Sequence, residues 1–317
     1  IDDIILFDHA VINDKAAAMH AIEEKNVASR SASSIRIGSP IYPFVVRHHT
    51  DINQDVREKL ELAKRTLHLG GFTMLQNAEW PMGKKDDIFS EALDESGPLL
   101  GTMTRTALSQ MAQFVHEYLD APVSTKEIIE HIGKAGANHN PAGGFKNAAK
   151  NGFDETKLRQ LMGPHIPKLV ETYNSYFDLH NVDLILIPSA RAATPDLDLL
   201  SNGKVVLTST GGGSAKGGDS SVFGGINFVV KHLHIPKMCI PTGLTEDGRP
   251  TAVQLWGRAM EYDQMYDDNL SQMNDVKFLH LVNRVSQVLA ANPKLRRKNA
   301  SHFFNHLVNY NNGDSNL

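Results

Sequence analysis

The sequence predicts an α/β protein in which a mixed central β-sheet is flanked by helices. Three patterns carry this prediction. A strand pattern, a helix pattern and a second strand pattern follow one another within residues 35–75, which is the order of a parallel β-α-β unit. The apolar run Val182–Pro188 is typical of a strand buried on both faces of a sheet. Two further apolar runs within residues 229–259 are joined by a turn containing Asp247 and Gly248, which is typical of an antiparallel pair.

The composition limits the possible function classes. The chain has 317 residues, of which 41% are hydrophobic and 21% are charged, so residues 1–317 are predicted to form one globular domain with a sizeable core. The formal net charge of −4 and the lack of a basic stripe argue against a nucleic-acid partner. No run approaches the roughly 18 apolar residues that a membrane span requires, which argues against a membrane partner.

The single cysteine, Cys239, excludes an internal disulfide and favours a cytoplasmic location, although a targeting signal upstream of Ile1 would be out of view. Because Cys239 lies within an apolar strand pattern, it is predicted to be a small buried hydrophobic residue rather than a catalytic thiol. The Asn-rich segment 299–317 is predicted to be a frayed polar tail.

Apolar residues recur at helical spacing in several stretches, and short apolar runs between them predict strands. The predicted helices span Asp2–Met19, Asp51–Leu69, Asp86–Tyr118, Thr125–Ile132, Leu158–Phe177 and Asp263–Ala291. The predicted strands span Ile35–Ser39, Phe72–Leu75, Val182–Pro188, Met238–Ile240 and Ala252–Gly257. A polar link is expected after the first helix, and Gly70 and Gly71 are expected to cap the second. Pro164 and Pro167 are expected to interrupt the fifth helix, and Pro241 is expected to end a strand.

The densest pattern lies at Pro241–Arg258, PTGLTEDGRPTAVQLWGR. It resembles the C-terminal strand pair of the amidase signature family, in which a proline-glycine turn leads into a "dGxPxxxQxxG" strand. The segment that begins IRIGSP at Ile35 and the strand VDLILIPS at Val182 resemble two further family segments, in the same order. The resemblance covers most of the chain. It implies the amidase signature fold and identifies the chain as the C-terminal two thirds of such a domain.

The resemblance also implies a function and a mechanism. Family members hydrolyse carboxamide C–N bonds through an acyl-enzyme, with a serine nucleophile, a second serine that relays the proton and a lysine base, and without a cofactor. In the family these residues precede the helix that resembles Asp2–Met19. The numbered chain is therefore expected to lack the catalytic triad, and the expected substrate of the full-length protein is a small-molecule amide. The alternative is a non-catalytic, truncated relative that acts as a binding or scaffold protein.

By position in the family, Asn227, Thr242 and Gly243 are candidates for the substrate pocket, although plain turn and strand structure explains them equally well. A second possibility is a local dyad in which Ser214 is the nucleophile and Lys216 the base. These two residues lie two apart and would share one side of an extended segment. Their glycine-rich stretch, residues 208–225, is predicted to be a mobile loop.

One pair of histidines has a spacing that suits two ligands of a metal ion. His232 and His234 are two apart and would face the same side of a strand, but no third ligand has a suitable spacing, so no metal site is predicted. A sheet that lacks its N-terminal strands would have unpaired edges. The chain alone is therefore expected to be poorly soluble or to form a homo-oligomer.

Overall fold

A computed structural model describes residues 14–41, 46–47, 50–76, 111–119, 123–124, 126–128, 130, 155–190, 205–206, 214–215, 233–246, 248–264 and 267–296. Within these residues the long helices are α1 (Asp14–Ser29), α2 (Gln54–Leu69), α3 (Glu155–His180) and α4 (Asp268–Ala291). The strands are β1 (Arg36–Ser39), β2 (Val46–Arg47), β3 (Thr50–Asp51), β4 (Thr73–Gln76), β5 (Leu184–Pro188), β6 (Val205–Val206), β7 (Ser214–Ala215), β8 (Lys237–Leu244) and β9 (Pro250–Trp256). None of the helices in this part of the chain is both long and apolar enough to cross a membrane.

Five strands form one sheet in the order β4-β1-β5-β9-β8. Strands β4, β1 and β5 are parallel, whereas β9 is antiparallel to both of its neighbours. Every residue of β5 is buried, as its unbroken apolar sequence predicts. The strand, helix and strand predicted within residues 35–75 correspond to β1, α2 and β4, which pair in parallel. The prediction of an α/β fold with a mixed sheet is confirmed.

Helices pack on both faces of this sheet. Gly38 of β1 is in register with Ile185, and Ile185 is in register with Trp256, so these residues point to one face and Gly257 points to the other. A Cβ atom at position 38 would meet the Tyr176 ring of α3, and one at position 257 would meet the Phe278 ring of α4. Helix α3 therefore covers one face and α4 the other.

The end of α2 shows how a local signal places a strand. Gly71 adopts a φ of +90°, and its amide donates to the His68 carbonyl, while the Phe72 amide donates to the Leu67 carbonyl. These two bonds define the Schellman arrangement, and the buried Leu67 and Phe72 supply its apolar contact. The predicted glycine cap is confirmed, and it directs the chain into β4.

The predicted polar link after Met19 is wrong. Helix α1 continues to Ser29, because the intervening residues are mostly good helix formers such as Ala, Glu and Lys. Its end is fixed by Arg284 of α4, whose guanidinium donates to the carbonyl oxygens of Val27 and Arg30. The predicted start of this helix, at residues 2–13, lies outside the described residues.

The predicted interruption at Pro164 and Pro167 is also wrong, since α3 is continuous. Each proline removes one helical hydrogen bond and strains the preceding turn. The later part of the helix is held by the core, where Tyr173, Tyr176 and Phe177 are almost completely buried. Tertiary packing thus outweighs the local cost of the two prolines.

Two predictions for β8 need correction. The strand does not end at Pro241 but runs to Leu244, with a register shift between these residues. Strand β8 is the last in the described sheet, and an edge position tolerates a residue that has no amide hydrogen. Cys239 is exposed rather than buried, and it lies on a strand that has a neighbour on one side only in the described sheet.

A short helix follows Ser124, as predicted. The Ser124 hydroxyl accepts a hydrogen bond from the Glu127 amide, while the Glu127 carboxylate accepts from the Ser124 amide, which is a capping box. Residues 111–119 are helical, in agreement with the end of the predicted helix Asp86–Tyr118. The rest of that helix and the tail 299–317 lie outside the described residues.

Candidate functional site

The carboxyl ends of four strands meet at one edge of the sheet. Strands β4, β1 and β5 run in parallel, and β8 runs in the same direction because it is antiparallel to β9. We call this the carboxyl edge and define it by four residues at or next to those ends, which are Gln76, Ser39, Ser189 and Gly243. Ligands of open α/β sheets bind outside the carboxyl ends of the strands, so this edge is the candidate position of a binding site.

Two of the predicted pocket residues lie at the carboxyl edge, where they form a hydrogen-bonded corner. The Thr242 hydroxyl is fully buried and donates to Oγ1 of Thr251 at 3.2 Å, and the Thr251 hydroxyl donates to the Gly243 carbonyl at 3.1 Å. Gly243 has a φ of +86°, and a Cβ atom there would lie 3.1 Å from the Lys294 carbonyl. This corner requires glycine at position 243 and holds its backbone rigidly.

A row of polar side chains crosses β9, β5 and β8 close to the same edge. The Trp256 indole donates to Oε1 of Gln254 at 2.8 Å, which fixes the orientation of that amide. The Gln254 amide donates to the Ser189 hydroxyl at 3.4 Å, and that oxygen lies 3.6 Å from the Cys239 sulfur. Trp256 and Gln254 are buried, Ser189 is half-buried and Cys239 is exposed, so the row leads from the core to the surface.

This polar row is not apparent from the sequence alone. Strand alternation places Gln254 and Trp256 on one face, but only the register of β8 and β5 against β9 shows that Cys239 and Ser189 join them. The row brings a hydroxyl and a thiol to the sheet surface beside the carboxyl edge. Such groups are able to accept or donate hydrogen bonds to a bound polar molecule.

The remaining predicted site residues are Ser214, Lys216 and Asn227. Ser214 does not lie in a loop as predicted, since it forms β7 with Ala215 and is in register with Val206. Lys216 and Asn227 lie outside the described residues. Both the Ser214–Lys216 dyad and the pocket role of Asn227 therefore stay predictions.

No metal site emerges in the part of the chain that the structure describes, where no three His, Cys, Asp or Glu side chains cluster suitably. Of the histidine pair considered from the sequence, His234 adopts a left-handed backbone with a φ of +48°. Its partner His232 lies outside the described residues.

An ion pair lies at the opposite edge of the sheet. The Arg30 guanidinium binds both oxygens of Asp183 at 2.7 and 2.9 Å, and the Arg36 amide donates to the same carboxylate. The hydrogen bonds that Arg30 donates to Asp183 raise the pKa of Arg30 above its usual value. This pair joins the end of α1 to the start of β5, and it is structural in character.

Comparison with known proteins identifies the fold of the chain. No protein-family model matches the sequence, and no curated protein matches it. Among solved structures, 6-aminohexanoate cyclic dimer hydrolase complexed with its substrate is 15% identical, with a TM-score of 0.50 over 84% of this chain and 49% of that one. The chain has the amidase signature fold. At this identity the likeness establishes the fold alone.

Two further solved structures resemble the chain at lower TM-scores. Allophanate hydrolase from Kluyveromyces lactis is 15% identical, with a TM-score of 0.45 over 85% of this chain and 34% of that one. A bacterial aryl acylamidase of the amidase signature family is 12% identical, with a TM-score of 0.38 over 85% and 48%. The chain thus spans about half the length, or less, of the solved structures that it matches.

Proposed function

We propose that this chain is the C-terminal part of a hydrolase that cleaves the C–N bond of small carboxamides. The observation that carries the proposal is the likeness to 6-aminohexanoate cyclic dimer hydrolase, which extends over 84% of this chain but only 49% of that protein. The three sequence segments that resemble the amidase signature family support it, because they occur in the family's order. In this proposal residues 1–317 belong to one domain of a longer cytoplasmic protein.

The proposed chemistry is acyl transfer through a Ser-Ser-Lys triad that lies upstream of Ile1. The lysine accepts the proton of the nucleophilic serine through the second serine, and the serine oxygen attacks the amide carbonyl. The C–N bond then breaks, and the leaving nitrogen takes up that proton. Water hydrolyses the resulting ester, which releases the carboxylic acid and regenerates the serine. The numbered chain supplies the scaffold for this chemistry rather than its reactive groups.

Thr242 and Gly243 would contribute to the substrate pocket indirectly. Because the Thr242 hydroxyl is buried and bonded to Thr251, its role would be to hold the backbone at Gly243 in place. Asn227, from the preceding segment, would complete this side of the substrate pocket. The same carboxyl edge carries the Ser189 hydroxyl, which is half-buried and therefore accessible to a bound amide.

A non-catalytic binding or scaffold role is the second candidate, and the exposed edge of the sheet favours it. Strand β8 has no neighbour on its outer side in the described sheet, and its Cys239 and Pro241 are exposed. Such an edge is suited to pairing with another chain, although Pro241 interrupts the row of amide donors. A second copy of this chain at β8 would give the predicted homo-oligomer.

The test compares two purified proteins. One is the chain 1–317, and the other is a longer protein that continues it upstream of Ile1. Release of ammonia or amine from a panel of small carboxamides is measured for both. We expect the longer protein to hydrolyse at least one amide and the chain 1–317 to hydrolyse none. Hydrolysis by the chain alone that is abolished in Ser214→Ala would support the local dyad instead, and a longer protein that is inactive on every amide would favour the scaffold role.

A further inference from the structure

A cavity of about 370 Å³ lies at the amino end of β5, opposite the carboxyl edge. It is open to solvent on one side and is lined by the end of α3, the start of β5, the residues that follow β9, and α4. All of its lining residues belong to the described part of the chain.

The floor of this cavity is apolar. Its members are buried aromatic and aliphatic side chains that belong to the main core, namely Phe177, Val182, Leu184, Phe278 and Leu281. An apolar floor of this size suits the hydrocarbon body of a small molecule, because burying that body in the cavity removes its surface from water.

The rim is charged, and three of its four charged groups are already paired. Asp183 is bound by Arg30, as described above. Asp178 accepts hydrogen bonds from both terminal nitrogens of the Arg258 guanidinium, one of them at 3.2 Å. The hydrogen bonds that Arg258 donates to Asp178 lower the pKa of Asp178 and raise the pKa of Arg258, so both groups remain charged at neutral pH.

Lys277 is the fourth charged group of the rim. It is exposed and forms no ion pair with any residue that the structure describes. Each of the two carboxylates at the rim is bound by an arginine, and Arg258 also lies 3.6 Å from Glu261. Among the groups that line the cavity, the ammonium of Lys277 is the positive charge that has no carboxylate partner in the described part of the chain. The cavity thus combines an apolar interior with one positive charge at its mouth.

We propose that this cavity binds a small molecule that has an apolar body and one carboxylate, with the carboxylate paired to Lys277. A neutral molecule of the same shape would gain the apolar contacts but not the ion pair. A cationic molecule would meet the like charge of Lys277, and the rim carboxylates are already paired with arginines. The site is separate from the carboxyl edge, so the inference does not depend on whether the protein hydrolyses amides.

The experiment measures the affinity of the chain 1–317 for benzoate, benzamide and benzylamine by ligand-observed NMR at low ionic strength. We expect saturable binding of benzoate, weaker binding of benzamide and none of benzylamine. In Lys277→Gln the benzoate affinity should fall by roughly three- to tenfold, because one partly exposed charge pair is lost. Lys277→Glu should abolish benzoate binding. Both substitutions are at an exposed position and are expected to leave the fold intact.

Lys25→Gln is the matched control, since Lys25 is an exposed lysine on α1 and does not line the cavity. It should leave the benzoate affinity unchanged. The proposal is overturned if benzoate shows no saturable binding, if benzamide binds as tightly as benzoate, or if Lys277→Gln and Lys25→Gln have the same affinity as the unmodified chain.

Discussion

Tyr176 of α3 lies directly over Gly38 of β1, so close that a Cβ atom at position 38 would be 2.5 Å from the Tyr176 hydroxyl oxygen and 2.8 Å from its ring. Both residues belong to the buried interior, where side chains have little freedom to move aside. The contact fixes how closely α3 approaches the sheet. It also explains why a glycine occupies the middle of a short, buried strand.

Gly38→Ala is expected to lower the free energy of unfolding by about 1–3 kcal/mol, because the added methyl group forces the Tyr176 ring out of its position. Urea unfolding followed by circular dichroism measures this change. Gly163→Ala is the matched control. It lies on the exposed side of α3, where a Cβ atom meets nothing within 4 Å, and it should raise the stability by about 0.5–1 kcal/mol. Equal effects of the two substitutions would contradict the packing of α3 on β1.

Asp183→Asn is expected to lower the free energy of unfolding by about 1–3 kcal/mol, because it leaves the Arg30 guanidinium without its charged partner. The two side chains are 30% and 20% exposed, so solvent screens the pair only in part. Glu130→Gln is a suitable comparison, since its pair with Lys126 spans 4.0 Å and is largely exposed. That substitution should change the stability by less than about 0.5 kcal/mol, and a similar loss in both variants would contradict a structural role for Asp183.

The pair of Asp178 and Arg258 predicts a pH dependence. Hydrogen bonds from Arg258 hold the pKa of Asp178 below its usual value of 3.8. A carboxylate with a lowered pKa stabilises the folded state above its unfolded pKa, and this contribution disappears as the pH falls through the folded pKa. Asp178→Asn should therefore lower stability by less than about 1 kcal/mol at neutral pH, since the pair is largely exposed.

The difference between Asp178→Asn and the unmodified chain should shrink as the pH falls below about 4. Urea midpoints recorded from neutral to acidic pH measure it. Asp263→Asn, at an exposed position outside the cavity, should show no such convergence. A difference that stays constant across the whole pH range would argue against the ion pair.

Cys239 is expected to react with a thiol reagent in the native chain, because it is exposed on the edge strand. Since it is the single cysteine, one equivalent should be modified without denaturant. The measurement is the colour released by a disulfide reagent, with and without urea. If modification requires unfolding, then Cys239 is buried, as its sequence context alone suggested.

Much of the fold could be predicted from local signals in the sequence. The apolar run of β5 and the glycine pair after α2 each act within a few residues, so they were visible without the structure. The continuity of α3 was not visible, because it depends on the burial of Tyr173 and Tyr176 against the sheet. The exposure of Cys239 also depends on strand order, since the same residue in a central strand would be buried.

The candidate site was predicted less completely. Thr242 and Gly243 were found because their motif is contiguous in the sequence. The row from Trp256 through Gln254 to Ser189 and Cys239 joins three strands, and its members meet only through the register of the sheet. The cavity beside Lys277 was missed for the same reason, because its walls come from three separate segments of the chain.

The central claim is that this chain is the scaffold of an amidase whose reactive groups lie upstream of Ile1. A fluorophosphonate, which phosphonylates activated serines with loss of fluoride, tests it directly when the longer protein is labelled and the modified peptide is identified by mass spectrometry. We expect one labelled serine, upstream of Ile1, and no labelling of the chain 1–317 alone. Stoichiometric labelling within the chain, for example at Ser214, would contradict it.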